Sequence, residues 1–216
     1  MKKTAVTLAI AAAAAASAAI PSMAWALTAQ EAANVITQHQ YVAPQDLQKR
    51  YGYWSADAVA LDGLRVDVLV NDADGTLTTV RKSDIGGALP SVDRVAQALR
   101  ARGYGFVYDV ELDDGFWEAK ARQSANQAEK VEFVLHPVTL EVLSQVGRSG
   151  GTVNNQPVLG ADQVLQALQQ AGYTRVHGIE YEDGYWEAEA TNLANLSVEL
   201  RVEPTTGKVI SERLDD

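Results

Sequence analysis

Residues 106–122 read FVYDVELDDGFWEAKAR, and residues 175–191 read RVHGIEYEDGYWEAEAT. In the first stretch Phe106, Tyr108, Val110 and Leu112 alternate with Val107, Asp109 and Glu111. After Asp113-Asp114-Gly115, Trp117, Ala119 and Ala121 alternate with Glu118, Lys120 and Arg122. A period of two is that of a β-strand, and Asp-Gly supplies the positive φ that a tight hairpin turn requires. In the second stretch Glu182-Asp183-Gly184 makes the turn, Trp186, Ala188 and Ala190 face one way, and Glu187 and Glu189 face the other. Such alternation implies an antiparallel sheet with one face covered and one face in water.

The likeness extends in both directions. At a shift of 69 residues, Asp93, Val95, Gln97, Ala98, Leu99, Gly103 and Tyr104 fall on Asp162, Val164, Gln166, Ala167, Leu168, Gly172 and Tyr173. After a two-residue slip, Val131, Glu132 and Pro137 fall on Val198, Glu199 and Pro204. The sequence is therefore internally duplicated. Ser91 is placed to cap a helix whose apolar residues Val92, Val95, Ala96 and Leu99 recur at helical spacing, and Gly103 is placed to end it. Val164, Leu165 and Leu168, stopped by Gly172, repeat that stripe. Each copy then closes with a hairpin, over 131–135 with 140–143 and over 198–202 with 208–211, the latter turning at Thr205-Thr206-Gly207.

A third, worn copy precedes these two. Gly52-Tyr53-Trp54 stands where Gly115-Phe116-Trp117 and Gly184-Tyr185-Trp186 stand later, and residues 66–70 with Asp72-Ala73-Asp74-Gly75 after them resemble a closing hairpin. Thr28 and Glu31 form a capping-box pair ahead of Ala32, Val35 and Ile36, and the middle of this copy differs and carries Pro44. The expected fold is α+β: tandem small units, each one helix packed on an antiparallel sheet of about four strands, with the tryptophans beneath the helices. The expected units span 27–82, 88–146 and 157–216. Gly86-Gly87 and residues 147–157, rich in Gly, Asn and Ser, read as linkers, the second one flexible.

The N-terminus reads as a signal peptide, residues 1–26. Lys2 and Lys3 precede an apolar run over 5–20, Pro21-Ser22 breaks it, and Ala24-Trp25-Ala26 supplies a small-x-small cleavage site. No later stretch approaches the ~20 apolar residues of a spanning helix, so no membrane insertion is expected after cleavage. The expected location is the periplasm, with secretion beyond it left open. The absence of cysteine rules out both disulfides and a cysteine-linked lipid anchor. Loss of Lys2 and Lys3 takes the formal charge from −10 to −12, a charge that repels nucleic acid and anionic lipid and suits cationic partners.

The Gly103 and Gly172 helix stops resemble those of the PepSY domain family. So do the acidic turns leading to an aromatic and a glutamate, Asp114-Gly115-Phe116-Trp117-Glu118 and Asp183-Gly184-Tyr185-Trp186-Glu187, and the closing turn Pro204-Thr205-Thr206-Gly207-Lys208. The likeness covers nearly all of residues 88–216 and, weakly, 27–82. It implies a role in restraining peptidases or regulating the protease environment near the cell, as in the propeptides of thermolysin-type metallopeptidases, and it carries no catalytic residues. The helix-on-sheet repeat is also similar to that of secreted β-lactamase inhibitors. No peptidase domain is read after the repeats, so the expectation is that a peptidase target is met in trans.

No enzyme, cofactor or metal site is read from the residues. Gly147-Arg148-Ser149-Gly150-Gly151 matches G-x-S-x-G, but residues 152–157 beyond it have linker composition, whereas a nucleophile elbow needs a helix there. His39, His136 and His177 have no zinc spacing and read as surface or strand-end residues. Asp72-Ala73-Asp74-Gly75 fails the calcium-loop pattern and reads as a hairpin turn. A glycosidase pair would need a cleft that small separate sheets do not offer.

The candidate site is an acidic face formed by Glu111, Glu118, Glu180, Glu187, Glu189 and Glu199, facing away from the tryptophans. It would be a platform for a basic partner segment or a cation. The leading expectation is a protein partner, a peptidase or envelope regulator. The alternative is a cation- or small-ligand-binding sensor.

Overall fold

A computed structural model describes residues 26–126 and 129–215. Residues 1–25, which hold nearly all of the expected signal peptide, lie outside the described residues. Three helices each lead into an antiparallel sheet. The first unit has α1 (Ala29–Gln38) and β1 (Val42–Arg50), β2 (Tyr53–Val59), β3 (Arg65–Asn71) and β4 (Leu77–Val80) in sequential order. The second has α2 (Val92–Ala101) and six strands: β5 (Phe106–Asp113), β6 (Phe116–Arg122), β7 (Val131–Leu135), β8 (Val142–Gly147), β9 (Gly150–Val153) and β10 (Gln156–Val158). The third has α3 (Ala161–Gln170), β11 (Thr174–Glu182), β12 (Tyr185–Thr191), β13 (Ser197–Val202) and β14 (Val209–Leu214).

The helix ends are set by the residues that cap them. The Thr28 N–H donates to the Glu31 carboxylate at 2.8 Å and the Glu31 N–H donates back to Thr28 Oγ1 at 3.3 Å. Ser91 Oγ accepts from the Arg94 N–H at 3.2 Å. The first α3 turn is closed from the other side, where the Gly160 N–H donates to Gln163 Oε1 at 2.9 Å. Gly103 and Gly172 both take φ near +97°, ending their helices as the sequence suggests.

Each helix covers the tryptophan side of its own sheet. Ile36 packs with Val66, Val68 and Val70. Val95 and Leu99 pack with Trp117, Phe133 and Leu135, and Val164 and Leu168 with Trp186, Leu200 and Val202. Each of these three indole N–H groups finds a carbonyl: Trp54 reaches Leu27 O at 3.0 Å, Trp117 reaches Pro137 O at 3.2 Å and Trp186 reaches Leu159 O at 3.1 Å. Burial of a ring this large is a leading stabilising contribution, and the satisfied donor removes its main cost.

Residues 147–157 are not a flexible linker. Arg148-Ser149 turns β8 into β9, and Asn154 and Asn155, at φ 50° and 59°, turn β9 into β10. The glycines that suggested flexibility admit a close approach instead: a Cβ on Gly151 would lie 1.9 Å from the Gln145 carbonyl oxygen. The two added strands give the second sheet its six.

The units also close on one another. Strand register pairs Ser55 with Leu69, Glu118 with Val134 and Glu187 with Arg201, on the side opposite each tryptophan. Leu69 and Val134 are nevertheless buried. The Asp114-Gly115 turn lies on Leu69, whose Cδ2 would be 2.9 Å from a Gly115 Cβ, and Tyr51 meets Phe116 edge-on at 5.4 Å. Val134 belongs to the same cluster. The third unit rests on the next part of that face, with Val146 packed into the core of Tyr181 and Trp186. On the third sheet Arg201 replaces the apolar residue and is exposed, and that outer face has no neighbouring turn upon it among the described residues.

Candidate partner-binding face

The six glutamates lie on paired strands. Register places Glu111 opposite Glu118, Glu180 opposite Glu187 and Glu189 opposite Glu199. Like charges directly opposed are unfavourable unless something offsets them. On the third sheet arginines do so: Arg201 Nε donates to Glu187 Oε1 at 2.9 Å, and Arg213 pairs with Glu199. His177 Nδ1 is 3.5 Å from Glu189 Oε2. Glu187, Glu189, Glu199 and the two arginines, with Gly178 and Ser211, surround an open depression of about 430 Å3. The Arg201 guanidinium also lies 5.8 Å from the Tyr185 ring centre.

The other three glutamates stand elsewhere. Glu180 borders a groove of about 410 Å3 between the second and third units, with Val146, Ile179 and Trp186 as its apolar lining and Lys130, Glu132 and Arg148 among its charges. Glu111 and Glu118 line a narrower cavity of about 180 Å3, between the second sheet and the Asp183-Gly184 turn. Burial pushes the Glu118 carboxyl up to about 7, Arg50 opposes this, and Asp183, Asp113 and Glu111 add to it. Burial likewise raises Glu132, against the pull of Lys130 at 2.9 Å. The Tyr51 hydroxyl, buried at the same junction, is pushed well above the ordinary phenol range.

The remaining sequence candidates have structural places. Ser149 sits on the β8–β9 turn, with its N–H donating to Glu129 Oε1 at 3.0 Å. A hairpin turn lacks the strand-to-helix geometry of a nucleophile elbow. His136 is at a strand end, as expected, but it is buried rather than at the surface. Its Nδ1 accepts from the Val138 and Thr139 N–H groups, its ring packs at 5.5 Å from Tyr53, and burial lowers its pKa. His39 and His177 are exposed. Residues 71–76 turn β3 into β4, closed by the Gly75 N–H on Asn71 O. Among the described residues no group of three or more His, Cys, Asp or Glu is placed to hold a metal ion, and no helix is long and apolar enough to cross a membrane.

The residues that sequence reasoning missed are those at the junctions: Leu69, Val134, Val146, Tyr51 and Arg50. For two of them the signal is a break in alternation. Leu69 interrupts a polar position between Val68 and Val70, and Val134 does so between Phe133 and Leu135.

A profile of the peptidase propeptide and YPEB domain family, PepSY, matches the chain twice in tandem, over residues 88–146 and 152–213. Domains of that family are propeptide-like and regulatory. Comparison with curated proteins and with solved structures gives no match.

Proposed function

Because this chain belongs to the PepSY family of peptidase propeptide and YPEB domains, we propose that it is an exported periplasmic protein that binds and inhibits or modulates a peptidase or another envelope protein, without catalysis of its own. One observation carries the choice of surface. The outer sheet faces of the first and second units are covered by neighbouring parts of the chain, whereas that of the third, with Glu187, Glu189, Glu199, Arg201 and Arg213, stands open. Its ion pairs are surface pairs, worth about 0–1 kcal/mol each. Exchanging them for a partner's groups therefore costs little. Glu180, at the neighbouring groove, extends the same acidic surface, and Glu111 and Glu118 mark a second, narrower contact.

The test is co-purification from periplasm with the mature chain as bait, then charge reversal on the face. A specific envelope protein that is retained by the parent chain and released by Glu187→Lys with Glu189→Lys supports this reading. Retention of nothing specific, or retention indifferent to those reversals, counts against it.

A further inference from the structure

The turn that docks on the first sheet leaves part of that face unfilled. Between β1, β2, β3 and the turn lies a cavity of about 250 Å3 lined by Asp46, Gln48, Ser55, Asp57, Asp67 and Asp114. Asp114 is already held, accepting from Arg50 at 2.8 Å and from Gln48 at 3.3 Å. Asp57 and Asp67 are different. They stand directly opposite each other across β2 and β3, and burial followed by the facing Asp57 carboxylate raises the Asp67 carboxyl. No lysine or arginine among the described residues is within ion-pair distance of either.

The floor of the cavity supplies a second, independent mark. Ser55 is 3% exposed and its hydroxyl has no hydrogen-bond partner. A buried hydroxyl left unpaired is costly and uncommon. A hydroxyl without a partner and two carboxyls without an ion pair, all facing one cavity, form an acceptor set with few donors of its own.

We propose that this slot binds an organic cation, an ammonium or guanidinium group, with Asp57 and Asp67 as its countercharges and Ser55 Oγ accepting one of its N–H bonds. Such groups present several donors and no acceptor, matching the lining. A metal ion is the poorer fit, because the acids here are not placed to coordinate one. The cation takes the place of the proton that the raised Asp67 carboxyl holds. Asp67 is pushed up to about 6, first by burial and then by the Asp57 charge, with Lys82 opposing and Asp114 adding. Asp46 and Arg50 on β1 complete the charges around the slot. Binding therefore tightens as pH rises through about 6. The site lies on the first unit and does not rest on the third-unit face.

The same chemistry could come from a free amine or from a Lys or Arg side chain of a basic peptide. Calorimetric titration of the mature chain with agmatine and, separately, with tetralysine at pH 8 and pH 5 distinguishes them. At least one probe is expected to bind one-to-one at pH 8, about tenfold more weakly at pH 5, and about tenfold more weakly to Ser55→Ala and to Asp67→Asn. Asp162→Asn, exposed in the first turn of α3 and outside both the slot and the acidic face, should bind as the parent does. Binding by agmatine assigns the slot to free cations, and binding by tetralysine alone assigns it to a partner's side chain. Ser55→Ala removes only a buried hydroxyl and keeps the test open if Asp67→Asn folds poorly. No binding by either probe, or equal binding by the parent and both slot variants, overturns the proposal.

Discussion

Arg50 Nη2 lies 2.8 Å from Asp114 Oδ2, so the last residue of β1 in the first unit grips the turn that leads into β6 of the second. The arginine side chain is 12% exposed and the aspartate 43%. A half-sheltered pair with unequal exposure is worth more than a surface pair and less than a buried one. Arg50→Ala is expected to lower stability by about 1–2 kcal/mol, because it also removes the positive charge that faces Glu118. Asp114→Asn should cost about 1 kcal/mol or less, since an amide oxygen still accepts from Arg50 and Gln48. Urea denaturation of both variants gives the ordering.

Gly151 separates a strand from a linker. Alanine there would drive a methyl to 1.9 Å from the Gln145 carbonyl oxygen, and only backbone movement relieves that. A loss of about 2–3 kcal/mol is expected for Gly151→Ala. In a flexible linker the same change would be neutral or slightly stabilising. Gly103→Ala is a useful contrast, because open space surrounds the site and only the φ of +96° is strained. Its cost should be about 1 kcal/mol. Urea denaturation of the two alanine variants checks both figures.

Gly103, Ser91 and the Asp-Gly turns act through short-range backbone geometry, so the helix ends and hairpins were legible from neighbouring residues. Residues 147–157 misled because Gly and Asn serve both loose chain and tight two-residue turns; the choice depends on the Gln145 carbonyl lying against Gly151. Alternation placed the tryptophans correctly beneath the helices. It also marked Glu118 as belonging to a wet face, whereas the face is partly closed by a turn from another unit. That closure is tertiary, and its trace in the sequence was confined to Leu69 and Val134 occupying polar positions.

Glu118 and Asp67 make stability fall as pH rises. Each carboxyl has a folded-state pKa above its unfolded value, with Glu118 up to about 7 and Asp67 up to about 6. Between about pH 4 and pH 7 these carboxyls hold protons in the folded chain that the unfolded chain has released, with Glu132 adding to them and the lowered His136 opposing below its ordinary 6.5, and the carboxyl contribution to stability declines across that window. The loss is on the order of 2 kcal/mol, discounted because both side chains reach water at one edge. Glu118→Gln together with Asp67→Asn should flatten the decline. Below about pH 4 the sign reverses through Glu31, Asp62, Asp74, Glu203 and Glu212, whose pKa values are lowered by hydrogen bonds they accept. Melting temperatures from about pH 3 to pH 8 test both limbs.

Binding through the third-unit face should be sensitive to salt. Exposed charges are screened beyond about 10 Å at 0.1 M salt. A partner recognised by Glu187, Glu189 and Glu199 should bind several-fold more weakly at about 0.5 M than at about 0.05 M salt, chiefly through slower association. An affinity flat with salt, measured by surface-immobilised kinetics, would remove these glutamates from the interface.

The most direct measurement is photo-crosslinking in the producing cell from positions 189 and 201, with identification of the captured protein and assay of its activity with and without added chain. One envelope protein should be captured from both positions, with an activity that changes on adding the mature chain and is indifferent to the Glu187→Lys, Glu189→Lys form. Capture of no envelope protein, or a captured protein whose activity the parent chain leaves unchanged, would contradict it.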